Sequence, residues 1–139
     1  MTSGMRKTIS LGRVHDFHSK DPEVYAILVD RLWPRGLKKE YLPIDLWAKD
    51  WAPSSGLRQL FHDGKMEFSR FRMSYMGELQ DKKQEIQDFL TMVLPQKILL
   101  LFASRDLHEN NAVVLKETLD GWSSKNQDHH QKTHGDRKD

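Results

Sequence analysis

The chain of 139 residues has no cysteine, and this absence excludes disulfide bonds, thiolate metal ligands and cysteine-based nucleophilic or redox chemistry. Long hydrophobic runs are also missing. The most apolar stretch, Ile98–Ala103, is far shorter than the ~18–20 residues that span a bilayer. The start of the sequence lacks the apolar region of a signal peptide. We therefore expect a cytoplasmic protein without a membrane partner.

An excess of charge of one sign is missing too, since 22 basic and 20 acidic residues give a net charge of +2. This balance does not indicate a global attraction to nucleic acid, although it is compatible with a local basic patch. Only 37% of the residues are apolar, and they are concentrated between Thr8 and Trp122. We therefore predict a single domain over residues 8–122, followed by a disordered, polar, histidine-containing tail at residues 123–139.

Three segments have the composition of β-strands. Tyr25–Asp30 and Lys97–Ala103 are almost continuously apolar, which is typical of strands that are covered on both faces. Thr8–Val14 mixes β-branched and apolar residues and predicts a further strand. The spacing of apolar residues predicts helices at Gly56–Phe61, Met66–Gln80 (continuing to Met92 in the same helix or in a second one) and Leu107–Trp122. This order predicts an α/β fold, a three-layer domain with a mainly parallel sheet that is flanked by helices.

Functional side chains of a parallel sheet gather beyond the carboxyl ends of the strands, because the loops there converge on one crevice. Asp30 and Asp106 follow two of the predicted strands, and we predict that they are catalytic, each as a general base or metal ligand. A capped helix start with basic side chains nearby is also a physical anion site. The predicted ligand-binding side chains at these ends and in the intervening loop are Arg13, Arg31, Trp33, Arg35, Lys49 and Ser54.

Structural interpretations of the same residues stay open. Arg31 or Arg35 stacked on Trp33, or paired with Asp30 or Asp50, would be structural. Asp106 precedes Glu109 with the spacing of a capping box, so its structural role is the N-cap of the last helix. The common nucleotide-binding, metalloprotease and hydrolase motifs are absent from the sequence. We therefore predict no cofactor, and no spacing of residues in the sequence defines a metal site.

The most specific motif of the chain is V-D-R-L-W-P-R-G, which begins at Val29 and opens the block 29–40. Four further blocks follow: L-W-A-K-D-W-A-P-S (46–54), L-R-Q-L-F-H-D (57–63), F-R-M-S-Y-M-G-E-L (71–79) and A-S-R-D-L-H-E-N-N-A-V-V-L (103–115). By the order and spacing of these blocks, from about Arg13 to Leu119, the chain resembles the YeaO-like family of bacterial proteins, which is classified as a domain of unknown function (four-eight-eight).

The resemblance implies a small cytoplasmic α/β protein without an assigned reaction. It also implies a set of shared polar residues, which includes Tyr75 and adds Arg58 and Asn111 to the predicted ligand-binding residues. The chain departs from the family pattern at His15, where a tyrosine is usual. It departs again at Phe61-His62-Asp63, which is one residue shorter than usual. The family therefore assigns no role to His15 or His62.

The favoured function is the binding or conversion of a small anionic ligand, phosphorylated or nucleotide-like, in a crevice at the strand ends. One alternative is a nucleic-acid-binding or regulatory module that uses the basic segment Arg31–Lys39, and another is a protein-interaction domain without catalysis. A pocket needs arginines that turn inward, whereas a surface for phosphate backbones needs exposed, unpaired cations. Convergence of the side chains around one pocket would favour the small ligand, and the side chains concerned are Asp30, Arg31, Arg35, Lys49 and Asp106.

Overall fold

The computed structural model describes residues 6–132, with side chains described up to Ser123. Within this range the strands β1 (Thr8–Arg13), β2 (Val24–Leu28), β3 (Leu46–Trp47) and β4 (Lys97–Phe102) form one parallel sheet in the order β1-β4-β2-β3. The α-helices of this range are α1 (Ser55–His62), α2 (Phe68–Gln80), α3 (Lys83–Met92) and α4 (Asn111–Lys132). The predicted α/β fold with a parallel sheet is confirmed.

One face of the sheet packs against the α-helices. Alternate residues of the two central strands, such as Ile27 of β2 and Leu100 of β4, are fully buried in this layer. This alternation follows from the strand geometry, which points successive side chains to opposite faces. The helices contribute their apolar stripes to the same core, including Leu57, Phe71, Tyr75, Ile86 and Leu115.

The other face of the sheet is covered by irregular chain. Leu28 and Leu101 lie in a second core, which is closed by residues of the loops that follow β1 and β2. These loops contain three-residue 3-10 helices at Val14–Asp16 and Lys39–Tyr41. The third layer is therefore made of loops in place of the expected helices. The segment that follows β2 contains two prolines and a glycine with φ of 84°, which prevent a continuous α-helix; these residues are Pro34, Gly36 and Pro43.

The helix boundaries show which capping signals the chain uses. Ser54 caps α1, since its Oγ accepts a hydrogen bond from the backbone N–H of Leu57 at 3.4 Å. The region after Met66 forms two helices, α2 and α3. The interpretation of Asp106 as the N-cap of the last helix is wrong, because α4 begins at Asn111 and Asn110 accepts from the N–H of Val113 at 2.9 Å.

We expect Asn110→Ala to lower the free energy of unfolding by about 1–2 kcal/mol, because it removes a buried N-cap. The Asn110 side chain also donates to the backbone oxygen of Asp106 at 2.8 Å, so the loop before α4 loses a contact as well. Urea denaturation of Asn110→Ala and of the matched variant Asp106→Ala measures the effect. A larger loss for Asp106→Ala would contradict the assignment of the cap.

The backbone of α4 continues to Lys132, past Trp122, where the sequence predicted the end of the helix. The predicted tail thus begins within α4, and its residues 133–139 lie outside the described residues, so that disorder stays a prediction for them. Over the part of the chain that the structure describes, none of the helices combines the length and the hydrophobicity needed to cross a membrane.

Candidate functional site

Asp30 joins three elements at the carboxyl end of the sheet. It directly follows the buried Val29, and its Oδ2 accepts a hydrogen bond from the backbone N–H of Ala103, after β4, at 2.9 Å. Its Oδ1 accepts from the side-chain amide of Asn111, the first residue of α4, at 3.1 Å. The same amide donates to the backbone oxygen of Val29 at 3.0 Å. The carboxylate therefore ties the ends of β2 and β4 to the start of α4.

Burial raises the pKa of Asp30 above its ordinary value, and four neighbours oppose this effect. The hydrogen bonds from Ala103 and Asn111 lower the pKa, as do the charges of Arg58 and His15. Arg58 lies on α1 and His15 follows β1, so the fold brings two further basic groups close to one carboxylate. We call Asp30, Asn111, Arg58 and His15 the Asp30 cluster.

Two members of the Asp30 cluster carry polar atoms without a partner. The half-buried Arg58 makes no side-chain hydrogen bond and no ion pair with the chain as far as the structure describes it. The Nδ1 atom of His15 is buried and has no hydrogen-bond partner, while its Nε2 lies 3.5 Å from the backbone oxygen of Arg35. Buried polar atoms normally find partners. The cluster therefore has unused capacity to bind a polar group.

Two of the other predicted arginines, Arg13 and Arg31, donate hydrogen bonds to backbone carbonyls. The Nε of Arg13 donates to the oxygen of Ser104 at 3.2 Å. The Nε of Arg31 donates to the oxygen of Pro53 at 2.8 Å, and its Nη2 lies 3.5 Å from the oxygen of Ala52. Arg31 therefore turns inward to fix the loop before α1, and the anticipated stack on Trp33 or pair with Asp30 is not observed.

The helix start at Ser54 is already occupied by a carboxylate of the chain itself. Glu78 of α2 accepts from the backbone N–H of Ser54 at 2.8 Å and from its hydroxyl at 2.6 Å. A carboxylate at this position is favoured by the free N–H groups and the dipole of α1. The sequence predicted that this helix start binds an anionic ligand, but it did not show that the carboxylate of Glu78, which lies in a distant block, contacts Ser54.

Three further predicted residues, Asp106, Arg35 and Lys49, have contacts other than the carboxylate of Asp30. Asp106 is exposed and accepts from the backbone N–H groups of His108 and Glu109, which lower its pKa. Arg35 is exposed, and Lys49 places its ammonium 5.0 Å from the ring centre of Trp47. In the described part of the chain no hydrogen bond or ion pair joins these three side chains to Asp30. The five-residue convergence is therefore not observed, and the roles of Asp106, Arg35 and Lys49 stay predictions.

A cavity of about 360 Å³ lies at the opposite end of the sheet, between α3, α4 and the start of β1. Its walls include Lys7, Ile9, Leu90 and Trp122. None of the predicted site residues lines it. Among the residues that the structure describes, no group of three or more histidine and acidic side chains is arranged to hold a metal ion.

Comparison with known proteins shows the family to which the chain belongs. A family model described as the inactive DUF488-N3 subclade matches residues 8–135. The chain belongs to the DUF488 family. The uncharacterized protein YeaO of Escherichia coli strain K12 is 38% identical over 111 residues, which cover 80% of this chain and 96% of that protein. The resemblance to YeaO-like proteins is thereby confirmed.

More distant DUF488 relatives occur in mycobacteria. Uncharacterized proteins of Mycobacterium bovis and of Mycobacterium tuberculosis strain H37Rv are each 32% identical over 113 residues. The matched region covers 81% of this chain and 94% of each relative. No solved structure matches the chain.

Proposed function

We propose that this DUF488 protein binds a small anionic ligand at the Asp30 cluster and does not transform it. The observation that carries the proposal is the guanidinium of the half-buried residue Arg58, which has no hydrogen-bond acceptor in the described chain and interacts electrostatically with the partly buried carboxylate of Asp30. A guanidinium offers five N–H donors in a planar fork that matches carboxylates and phosphates. An anionic ligand would supply the missing acceptors.

The position of Asp30 favours binding over catalysis. Each of its oxygens already accepts a hydrogen bond from the fold, one from Ala103 and one from Asn111. These contacts fix both oxygens in the frame of the sheet and give the carboxylate a structural task at the ends of β2 and β4. The subclade whose model matches the chain is itself described as inactive, which agrees with a binding role in which Asp30 holds the site together.

The mixed charge of the cluster favours a ligand that combines an anionic group with hydroxyls. The anionic group would contact Arg58, because this cation has no competing ion pair in the described chain. A hydroxyl group of the ligand would donate to a lone pair of Asp30 that the hydrogen bonds from Ala103 and Asn111 leave free. A phosphorylated sugar or nucleotide has both kinds of group, whereas inorganic phosphate has no neutral part that spans the cluster.

Isothermal titration calorimetry with ribose 5-phosphate, AMP and inorganic phosphate tests this function. We expect at least one organic phosphate to bind, and Arg58→Gln to weaken it by about 10- to 100-fold, since hydrogen bonds to charged groups contribute roughly 1.5–3 kcal/mol. The matched control is Arg70→Gln, because Arg70 is an exposed arginine of α2. Equal affinities of Arg58→Gln and Arg70→Gln, or no binding of any of the three probes, would refute the proposal.

A further inference from the structure

A second feature, which adjoins the Asp30 cluster and shares none of its side chains, lies at the edge of the sheet beside β3. The rings of Trp33 and Trp47 meet edge to face with their centres 5.2 Å apart. The ammonium of Lys39 lies 5.5 Å and 5.4 Å from these two ring centres, and that of Lys49 lies 5.0 Å from the ring centre of Trp47. We call these four residues the lysine–tryptophan cluster.

The lysine–tryptophan cluster holds two like charges close to one ring. Cation–π attraction to the indole offsets part of their mutual repulsion. The orientation of the two indole rings is fixed by hydrogen bonds. The N–H of Trp47 donates to the backbone oxygen of Asp30 at 2.8 Å, and the N–H of Trp33 donates to the backbone oxygen of Leu37 at 2.6 Å. An anion near both ammonium groups would remove the remaining repulsion.

The loop around this cluster presents an exposed basic face, which we define as Arg35, Lys38, Lys39 and Lys49. None of these four cations forms an ion pair within the described chain, where the ion pairs involve other residues. The carboxylates between residues 31 and 49 are Glu40 and Asp45. Asp45 is engaged by Lys20 at 3.2 Å, so Glu40 and the exposed Asp50, which directly follows Lys49, remain to offset the four positive charges.

We propose that the basic face binds single-stranded nucleic acid through its phosphate backbone. Charge complementarity supports a polyanion, because the four cations are exposed and unpaired, whereas Arg31 of the same segment turns inward to Pro53. Exposed aromatic surface favours a single strand, whose bases are free to stack. Tyr41, which follows the two lysines of the loop, is 75% exposed and offers such a surface.

Fluorescence anisotropy with labelled oligo(U) and oligo(dT) of about twelve nucleotides tests this interaction, with a duplex of the same length as the comparison. Four phosphate contacts predict a log–log salt slope of about −2.8, and hence an affinity about 50-fold weaker at about 200 mM than at about 50 mM salt. The double variant Lys39→Glu/Lys49→Glu should lower the magnitude of this slope by about 1.4 and weaken binding at least about tenfold at the lower salt concentration.

The matched control is Lys65→Glu/Lys97→Glu, which changes the net charge by the same amount at two exposed lysines far from β3. We expect this variant to bind within about twofold of the unmodified protein, since only the phosphate contacts of the basic face carry the interaction. Equal losses in the two double variants would show a global charge effect and overturn the proposal. So would tighter binding of the duplex, or no binding of either single strand at the lower salt concentration.

Discussion

Tyr75→Ala is expected to lower the free energy of unfolding by about 3–5 kcal/mol, the usual range for the loss of a large core aromatic residue. The ring of Tyr75 is fully buried and packs against Phe71, with 5.8 Å between the ring centres. Its hydroxyl donates to the backbone oxygen of Trp51 at 2.5 Å. This contact fixes the loop whose carbonyls hold Arg31. Urea denaturation followed by circular dichroism measures the loss.

Tyr75→Phe separates the ring from the hydroxyl. Burial raises the pKa of Tyr75, so the hydroxyl stays a protonated donor at neutral pH. Its removal leaves the carbonyl of Trp51 without this donor, and we expect a loss of about 1–2 kcal/mol. If Tyr75→Phe were as destabilising as Tyr75→Ala, the hydroxyl contact and not the packed ring would carry the effect.

Asp30→Ala is expected to lower the free energy of unfolding by about 2–4 kcal/mol, because the N–H of Ala103 loses its acceptor and the amide of Asn111 keeps only the backbone oxygen of Val29. Asp30→Asn keeps one acceptor oxygen and should lose about 1–2 kcal/mol. Chemical denaturation of both variants at neutral pH checks these values. A neutral effect of Asp30→Ala would show that the carboxylate does not hold the strand ends together.

The pH dependence of the Asp30 contribution has a defined sign. The pKa of Asp30 in the folded protein is raised from the ordinary value of 3.8 by burial, so the folded state binds this proton more tightly than the unfolded state. The resulting stabilisation is complete below pH 3.8 and is lost as the pH rises through the folded-state pKa. The free energy of unfolding of the unmodified protein exceeds that of Asp30→Asn by an amount that should therefore decrease as the pH rises from about 4.

Asp106 provides the internal comparison for this measurement. The N–H groups of Glu109 and His108 lower its pKa, so its contribution is present above the ordinary pKa and is lost as the pH falls. The stability of the protein minus that of Asp106→Asn should therefore rise with pH. The same sign for Asp30 and Asp106 would contradict the assignment of burial as the main cause at Asp30.

Long apolar patterns were sufficient to predict most of the sheet. The apolar runs at 25–30 and 97–103 became neighbouring parallel strands because side chains buried on both faces leave little alternative. Strand β3 was missed because only Leu46 and Trp47 pair with β2, and two residues carry no periodicity. The loop layer was missed for a related reason. Its residues cover apolar surface without a repeating pattern, so only the prolines of the segment indicate that it is not a helix.

The candidate site was only partly predictable from the sequence. The position of Asp30 after a buried strand followed from the parallel sheet, while Arg58 and Asn111 came from the family resemblance. The hydrogen bonds from Ser54 to Glu78 depend on the way α2 packs against the start of α1, and local sequence patterns do not encode this packing. The group of four around Asp30 depends likewise on tertiary contacts between residues that are distant in the chain, and this is why His15 received no role.

The strand order has a consequence for the way in which this chain leaves the ribosome. The middle of the sheet is completed by its last strand, β4, which separates β1 from β2. Because Ile9 pairs with Ile98, β1 cannot pair with β4 until almost the whole domain has been synthesised. Contacts between such distant segments slow folding and leave apolar strands unpaired in the meantime. The nascent chain is therefore most prone to aggregate after β2 has emerged and before β4 has followed.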